Sequence, residues 1–389
     1  MSQPSVPNIS EVDMKVTYIG FVTGHGGDAL QMLSLAHGMQ ELGAEVEIRV
    51  PANDDNVTFV RRCEAAGVRA SVTEQIAVTG TGSRQRLRSL LALLRSLDAD
   101  VVHIHAGDCR LPRTMMLALA ISRQRHVIAT LQSPYSYFEP QSTTARFWAL
   151  SARRVLRAVV SPSDHGTRFQ RACGIPERIA VTVRNAIDHR AFASGDPTSP
   201  RAALGVNGDT PIVLFSSRLD PQKRPLDAVR SFAQAAPDPS PAILVFVGSG
   251  DEEAAIVAEA QRLGVSDRVV MAGYQVNVAD WLSAATIWIF PTESENFSVS
   301  LLEAMAAGCP IVATVCKGND EVLVDGSNAL TFAVGDVGAA ADRMSRLFEQ
   351  PTLRDELRAG ARVTAAAHSV EQMVEQYRQI YERHAARRR

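Results

Sequence analysis

No run in the 389-residue chain approaches the ~18 consecutive apolar residues of a membrane-spanning helix, so none is expected. Residues 1–12 are polar and lack the apolar core of a secretion signal, which points to a cytoplasmic protein. An excess of charge is missing too. Forty basic residues against 42 acidic ones leave a net charge of −2, which gives no global case for a nucleic-acid partner. Cysteine is scarce: Cys63, Cys109, Cys173, Cys309 and Cys316 are odd in number and show no CxxC spacing. That disfavours a disulfide framework or a zinc site and fits a reducing compartment. The glycine turn near the start is neither GxGxxG nor a Walker A loop, so neither a dinucleotide nor ATP is specified. No short-period repeat is visible.

What is present is an alternation of strands and helices. Hydrophobic residues make up 46% of the chain, enough for sizeable cores, and the length suggests two or three domains at roughly 150 residues each. Strand-like runs lie at 16–22, 45–50, 101–105, 127–131 and 179–183. They recur at 212–215, 243–247, 269–272, 287–290 and 311–313. Helical patterns intervene, for example at 29–42, 86–97 and 113–123. Such alternation predicts an α/β chain of two doubly wound, Rossmann-like domains with a helical C-terminal segment. The expected division is a first domain at 1–190, a Pro/Gly/Ser-rich linker at 191–208, a second domain at 209–365, and a C-terminal helix at 366–389 returning towards the first. A cleft between two such domains, at the carboxyl ends of their strands, is where a ligand is expected.

The stretch FPTESENFSVSLLEAMAAGCPIVA, residues 290–313, is the most informative. An apolar strand stops at Pro291, a polar loop follows, and a helix begins whose C-cap is Gly308. Glu295 in the loop and Glu303 on the helix place carboxylates at a helix N-terminus. Amides there suit a phosphate and carboxylates suit hydroxyls, a combination that describes a nucleotide-sugar. Arg218 and Lys223 follow another strand. Fixed cations there would stabilise a departing diphosphate more in the transition state than in the ground state. Gly26 and Gly27, in the turn Thr23-Gly24-His25-Gly26-Gly27-Asp28, bring backbone to a helix N-terminus after the first strand. Gly248-Ser249-Gly250 marks a similar turn.

Together these residues resemble the retaining glycosyltransferases of family 4, with the two-domain GT-B fold. The resemblance covers nearly the whole chain and is strongest over residues 214–330. Its most specific element is the pair of glutamates with seven residues between them, Glu295 and Glu303, followed by Ala-Met-Ala-Ala-Gly; Asn185 after a strand and the Arg218 to Lys223 segment also match. The resemblance implies that Gly26, Gly27, Arg218 and Lys223 approach the donor diphosphate. It implies that Glu303 accepts from the donor ribose, and that Glu295 meets the transferred sugar beside Asn296, Phe297 and Ser298. Val299 and Ser300 would lie by the diphosphate. Arg218, Lys223 and Glu295 would carry the catalysis by positioning and charge stabilisation, the acceptor proton passing to a phosphate oxygen. No metal and no cofactor is implied; the nucleotide-sugar, expected to be a UDP-sugar, is a co-substrate.

Two departures stand out. Asn296 follows Glu295 where many relatives have glycine or serine, and Gln132 stands where the family has a histidine beside the reacting sugar. Gln132 can hydrogen-bond a hydroxyl but cannot titrate. His25, His105, Asp108 and Tyr135 are the further candidates for the sugar or acceptor side. The loop Ser133-Pro134-Tyr135-Ser136-Tyr137-Phe138-Glu139 has aromatic faces and a carboxylate suited to a cationic cyclitol or amino-sugar. The expected acceptor is therefore a small hydroxyl compound such as an aminocyclitol or aminoglycoside pseudosaccharide, since the family resembled includes members that build aminoglycoside antibiotics. A cell-envelope lipid or polysaccharide is the competing acceptor. A nucleotide-sugar epimerase and a non-catalytic sugar-binding protein are the alternatives of other classes.

Overall fold

The computed structural model describes residues 13–22, 24, 26–76, 82–122, 124–133 and 139–384. His25 and Tyr135, and with Tyr135 most of the aromatic loop, lie outside these described residues. The chain divides into two units. One holds the described residues up to Arg184 together with those from Val370 onward, and the other is Asn185–Ser369.

In the first unit seven strands form one sheet: β1 (Lys15–Phe21), β2 (Glu45–Pro51), β3 (Ala70–Thr73), β4 (Val101–Ala106), β5 (Val127–Leu131), β6 (Ala158–Ser161) and β7 (Ala180–Thr182). Their order is β3-β2-β1-β4-β5-β6-β7, every pair parallel. β4 and β5 are buried along their whole length, as strands covered on both faces must be. The last helix, Val370–His384, belongs to this unit and packs beside the helix Gly27–Glu41. Gly38 permits that approach, since a Cβ there would sit 2.4 Å from Val374 Cγ2.

The second unit has six parallel strands: β8 (Ile212–Ser216), β9 (Ile243–Val247), β10 (Val269–Gly273), β11 (Ile287–Phe290), β12 (Ile311–Thr314) and β13 (Leu330–Phe332). The order is β10-β9-β8-β11-β12-β13. Apolar residues fill a core on each face of the sheet, one around Trp288 and Leu302, the other around Phe215 and Phe246. Chain order reverses between β8 and β11, which makes their carboxyl ends the topological switch point. In the first unit the reversal falls between β1 and β4.

The expected linker at 191–208 is built differently. The units part at Arg184 and Asn185, and the polar stretch folds into the second unit as the helices His189–Ala193 and Thr198–Leu204. Gly195 within it serves close packing: a Cβ there would lie 2.3 Å from the Ala279 carbonyl oxygen. Arg201 fastens the stretch by donating to the carbonyls of Thr210 at 3.1 Å and Ala284 at 2.9 Å. The chain leaves the second unit between Ser369 and Val370. Strands β3, β6 and β13, of three or four residues each, are absent from the sequence reading.

Candidate functional site

The switch point of the second unit brings together two loops, one after β8 and one after β11. They are stitched by a reciprocal pair of bonds: the Glu293 amide donates to the Gln222 carbonyl at 2.8 Å, and Gln222 Nε2 donates to the Ser294 carbonyl at 2.7 Å. Asp220 caps the short turn Pro221–Lys223 by accepting from the Lys223 amide at 3.1 Å, and it pairs with Arg218 at 3.0 Å. Arg224 then adopts a left-handed backbone, φ 51°, to start the helix Pro225–Ala235, and its guanidinium is tied to Asp227 at 2.7 Å. A non-glycine residue in that region is strained, and such strain persists only where its surroundings enforce it.

That geometry turns the Lys223 side chain inward. Its ammonium pairs with Glu295 Oε1, and each residue is only 8% exposed. The same carboxylate oxygen accepts from Thr292 Oγ1 at 2.9 Å, and Thr314 Oγ1 holds the Thr292 carbonyl at 2.6 Å. The Lys223 ammonium also lies 5.4 Å from the Phe290 ring centroid. Lys223 and Glu295, given separate duties by the sequence pattern, are thus one buried ion pair. An ammonium has three donors, so this bond leaves capacity for an anionic ligand. Arg218 is by contrast largely exposed.

Beyond Glu295 the loop is fixed by backbone. The Glu295 amide donates to the Lys317 carbonyl at 3.2 Å, and Asn185 Nδ2 donates to the Phe297 carbonyl at 2.9 Å. Phe297 is buried, edge-on to His368 at 5.1 Å. Ser298 caps the helix Val299–Ala307, its Oγ accepting from the Leu301 amide at 3.3 Å. Helix geometry leaves the amides of Val299 and Ser300 without an intrahelical acceptor. Both residues are half-buried, as is Glu303 one turn on, while Asn296 is buried. Sequence reasoning missed Thr292, Thr314 and Gly318, whose roles come from packing and not from any motif. Near the same carboxylate, burial first and the charge of Glu295 second push the Cys316 thiol up to about 12, so it stays protonated.

In the first unit, Gly26 is the N-cap of the helix Gly27–Glu41, following β1. Gly24 has a packing reason of its own, because a Cβ there would lie 2.2 Å from the Asp55 carbonyl oxygen. Asp108 follows β4 and is exposed, its carboxylate accepting from the Cys109 amide at 2.6 Å. Gln132 follows β5, half-buried, its amide bonded to the Ala106 carbonyl at 2.9 Å. Gly26, Gly27, Asp108 and Gln132 therefore gather at the carboxyl ends of three neighbouring strands.

His105 does not join them. It shares a face of β4 with His103, and the helix Val370–His384 covers that face. His103 Nδ1 lies 2.6 Å from the Tyr381 hydroxyl and Nε2 lies 2.8 Å from Thr130 Oγ1, which in turn is 2.8 Å from the Tyr377 hydroxyl. The His105 ring lies 4.2 Å from that of His103 at a 44° tilt; His105 is 1% exposed and has no hydrogen-bond partner for either ring nitrogen among the described residues. An acceptor role for His105 is incompatible with that burial. The expectation fails because alternation fixes which face a strand residue takes, not what covers it.

Burial pushes His105 down to about 3, and burial with the neighbouring His105 holds His103 below its ordinary value. Both are neutral in the fold. Their depressed values mean that stability is full above the unfolded value of about 6.5 and is lost as pH falls below it, by roughly 1.4 kcal/mol per unit for each histidine. His105→Leu is expected to shallow the acid dependence of the urea midpoint without lowering that midpoint at pH ~7.5, since no hydrogen bond is removed. An unchanged acid slope would contradict a buried neutral His105.

Among the described residues, no group of three His, Cys, Asp or Glu side chains is arranged to hold a metal ion, and no helix is long and apolar enough to cross a membrane.

Comparison with known proteins places these two units. A model of Glycosyltransferase Family 4 matches residues 25–191, and one of Glycosyl transferases group 1 matches residues 198–364. The D-inositol 3-phosphate glycosyltransferase of Frankia alni is 37% identical over 197 residues, 48% of this chain and 48% of its own length. The N-acetyl-alpha-D-glucosaminyl L-malate synthase of Bacillus anthracis is 32% identical over 207 residues, 53% of this chain and 54% of its own. The chain spans about half the length of these curated relatives. Among solved structures, Anabaena HepE in complex with UDP-glucose has a TM-score of 0.80 at 20% identity, covering 95% of this chain and 99% of that one. Sucrose-phosphate synthase from Thermosynechococcus elongatus has a TM-score of 0.73 at 18% identity, covering 95% and 98%. At such identities the likeness shows the fold, that of the GT-B proteins. With one model on each Rossmann-like unit, the chain belongs to the glycosyltransferases that join a Family 4 region to a group 1 region.

Proposed function

We propose that the protein transfers a sugar from a nucleoside-diphosphate sugar, a UDP-sugar, to a hydroxyl of a small acceptor with retention of anomeric configuration. The observation that carries this reading is the pairing, at one switch point, of a buried ammonium, a buried carboxylate and a helix N-terminus. Lys223 and Arg218 meet the diphosphate oxygens, joined by the amides of Val299 and Ser300. Glu303 accepts from the ribose hydroxyls. Glu295 accepts from a hydroxyl of the transferred sugar while its other bonds hold Lys223 in place. As the bond from the anomeric carbon to phosphate breaks, its electron pair passes to the diphosphate, where the fixed cations stabilise it. The acceptor oxygen bonds the anomeric carbon from the face being vacated, and its proton passes to a phosphate oxygen. No protein base is needed, consistent with Gln132 at the position a histidine would take. Gly26 and Gly27 approach the donor diphosphate, Asp108 and Gln132 serve the acceptor and sugar side, and no metal or cofactor is part of the reaction.

For the acceptor we favour a small polyhydroxylated compound of the cyclitol class, an aminocyclitol included. Support for a cyclitol comes from the name of the Frankia alni relative, which specifies inositol 3-phosphate; the malate in the name of the Bacillus anthracis relative supports only a small hydroxyl acceptor. The test is thermal stabilisation by UDP-, GDP-, ADP- and dTDP-sugars, since a ligand of the native state raises the melting temperature by mass action. UDP-sugars are expected to shift it, and Glu303→Ala to abolish most of the shift. No shift with any donor would overturn the reading. Proton NMR of the product would then settle retention: an α-linked product from an α-linked donor is expected, and a β-linked one would exclude it.

A further inference from the structure

Every exposed leucine, isoleucine and phenylalanine among the described residues lies on two helices of the first unit, Arg113–Ser122 and Thr143–Val155. Leu117 and Ile121 form a stripe on one, Phe147 and Leu150 on the other, each between 41% and 53% exposed. The two helices pack together, and Arg113 lies over the Phe147 ring at 5.5 Å, so the stripes form one face. Four exposed arginines, Arg113, Arg146, Arg153 and Arg154, stand on the same helices. Neither helix contains an aspartate or glutamate, and Glu139 is the sole acid between Cys109 and Ser163. The other large exposed apolar residues among those described are valines and one tyrosine, spread along both units.

We propose that this face docks the protein on an anionic lipid bilayer, an inference independent of the transfer reaction. Apolar side chains ringed by arginines match an interface whose surface is negative and whose depth is apolar. The seam between the helices offers only a hollow of about 10 Å³, lined by Arg113, Met116, Phe147 and Trp148. That is room for no more than about one water, so a protein partner has no socket to fill, whereas a bilayer is deformable and needs none. A second copy of the chain would set arginines against arginines, which disfavours it.

The experiment is co-flotation of the full chain with vesicles of phosphatidylcholine alone and with vesicles about one third phosphatidylglycerol. Binding is expected only to the anionic vesicles, and weakened at about 0.5 M salt, where screening acts within ~4 Å. Phe147→Ser with Leu150→Ser, and separately Arg153→Glu with Arg154→Glu, should each lower partitioning by more than about tenfold. Both variants should keep the wild-type circular dichroism spectrum and melting transition, showing an intact fold. Absence of wild-type binding to anionic vesicles would overturn the proposal, as would binding that both variants retain. Light scattering that shows a dimer lost in Phe147→Ser with Leu150→Ser would assign the face to a second copy and overturn it equally.

Discussion

Lys223→Ala is expected to lower kcat by more than tenfold and to cost about 3–5 kcal/mol of stability, the usual effect of removing one partner from a buried ion pair. The remaining Glu295 carboxylate would sit almost enclosed, with Thr292 Oγ1 as a donor but no countercharge beside it. Two measurements separate the losses. Urea denaturation reads the stranded charge, and single-turnover kinetics at saturating donor read the missing cation. Lys223→Met combined with Glu295→Leu should regain most of the stability, because an apolar pair of similar volume leaves no uncompensated charge. It should regain none of the turnover, because the diphosphate would still lack its ammonium. Wild-type kcat in Lys223→Ala would refute the assignment of this residue to the leaving group.

Gly318→Ala carries the second large effect. Gly318 has φ 90°, in the region that side chains rarely adopt, and a Cβ there would lie 2.4 Å from the Glu295 carbonyl oxygen and 2.5 Å from that of Asn296. Both contacts are backbone, so relief requires moving the loop that holds Glu295. The variant should lose about 2–4 kcal/mol of stability and bind donor at least tenfold more weakly. Gly326→Ala is the control, since Gly326 has φ 73° but no heavy atom within 4 Å of its added Cβ. It should pay only the conformational cost, ~1 kcal/mol, with donor affinity intact. Equal effects of the two substitutions would mean that the Gly318 contact with the Glu295 loop is not what matters.

Much of this was legible in the residues. Ten apolar runs between helical patterns specified two parallel α/β units, and the glutamate pair pointed to the loop after β11 before any contact was known. Local chemistry made that possible: Pro291 ends a strand, Ser298 caps a helix and Gly308 closes it, each a rule that acts within a few residues. What escaped was set at long range. Nothing beside Lys223 in sequence announces that its ammonium meets Glu295, 72 positions on. Nothing beside His105 announces the helix that buries it. The stretch at 191–208 has a linker's composition, yet Gly195 and Arg201 bind it to residues more than 80 positions away. Composition reports what a segment can do alone, not what packs on it.

The return of the helix Val370–His384 to the first unit has a consequence for the order in which the molecule is completed. A ribosome delivers the first unit's sheet long before this helix, and the hydroxyls of Tyr381 and Tyr18, which meet at 3.3 Å, are 363 positions apart. Until then His103 and Thr130 have no tyrosine to bond, and an apolar-flanked face of β4 and β5 stays open to water or to chaperones. The second unit, contiguous from Asn185 to Ser369, can close on itself first. The half of the chain made earliest is therefore finished only after Tyr377 and Tyr381 have been made, and their few bonds to His103 and Thr130 mark that completion.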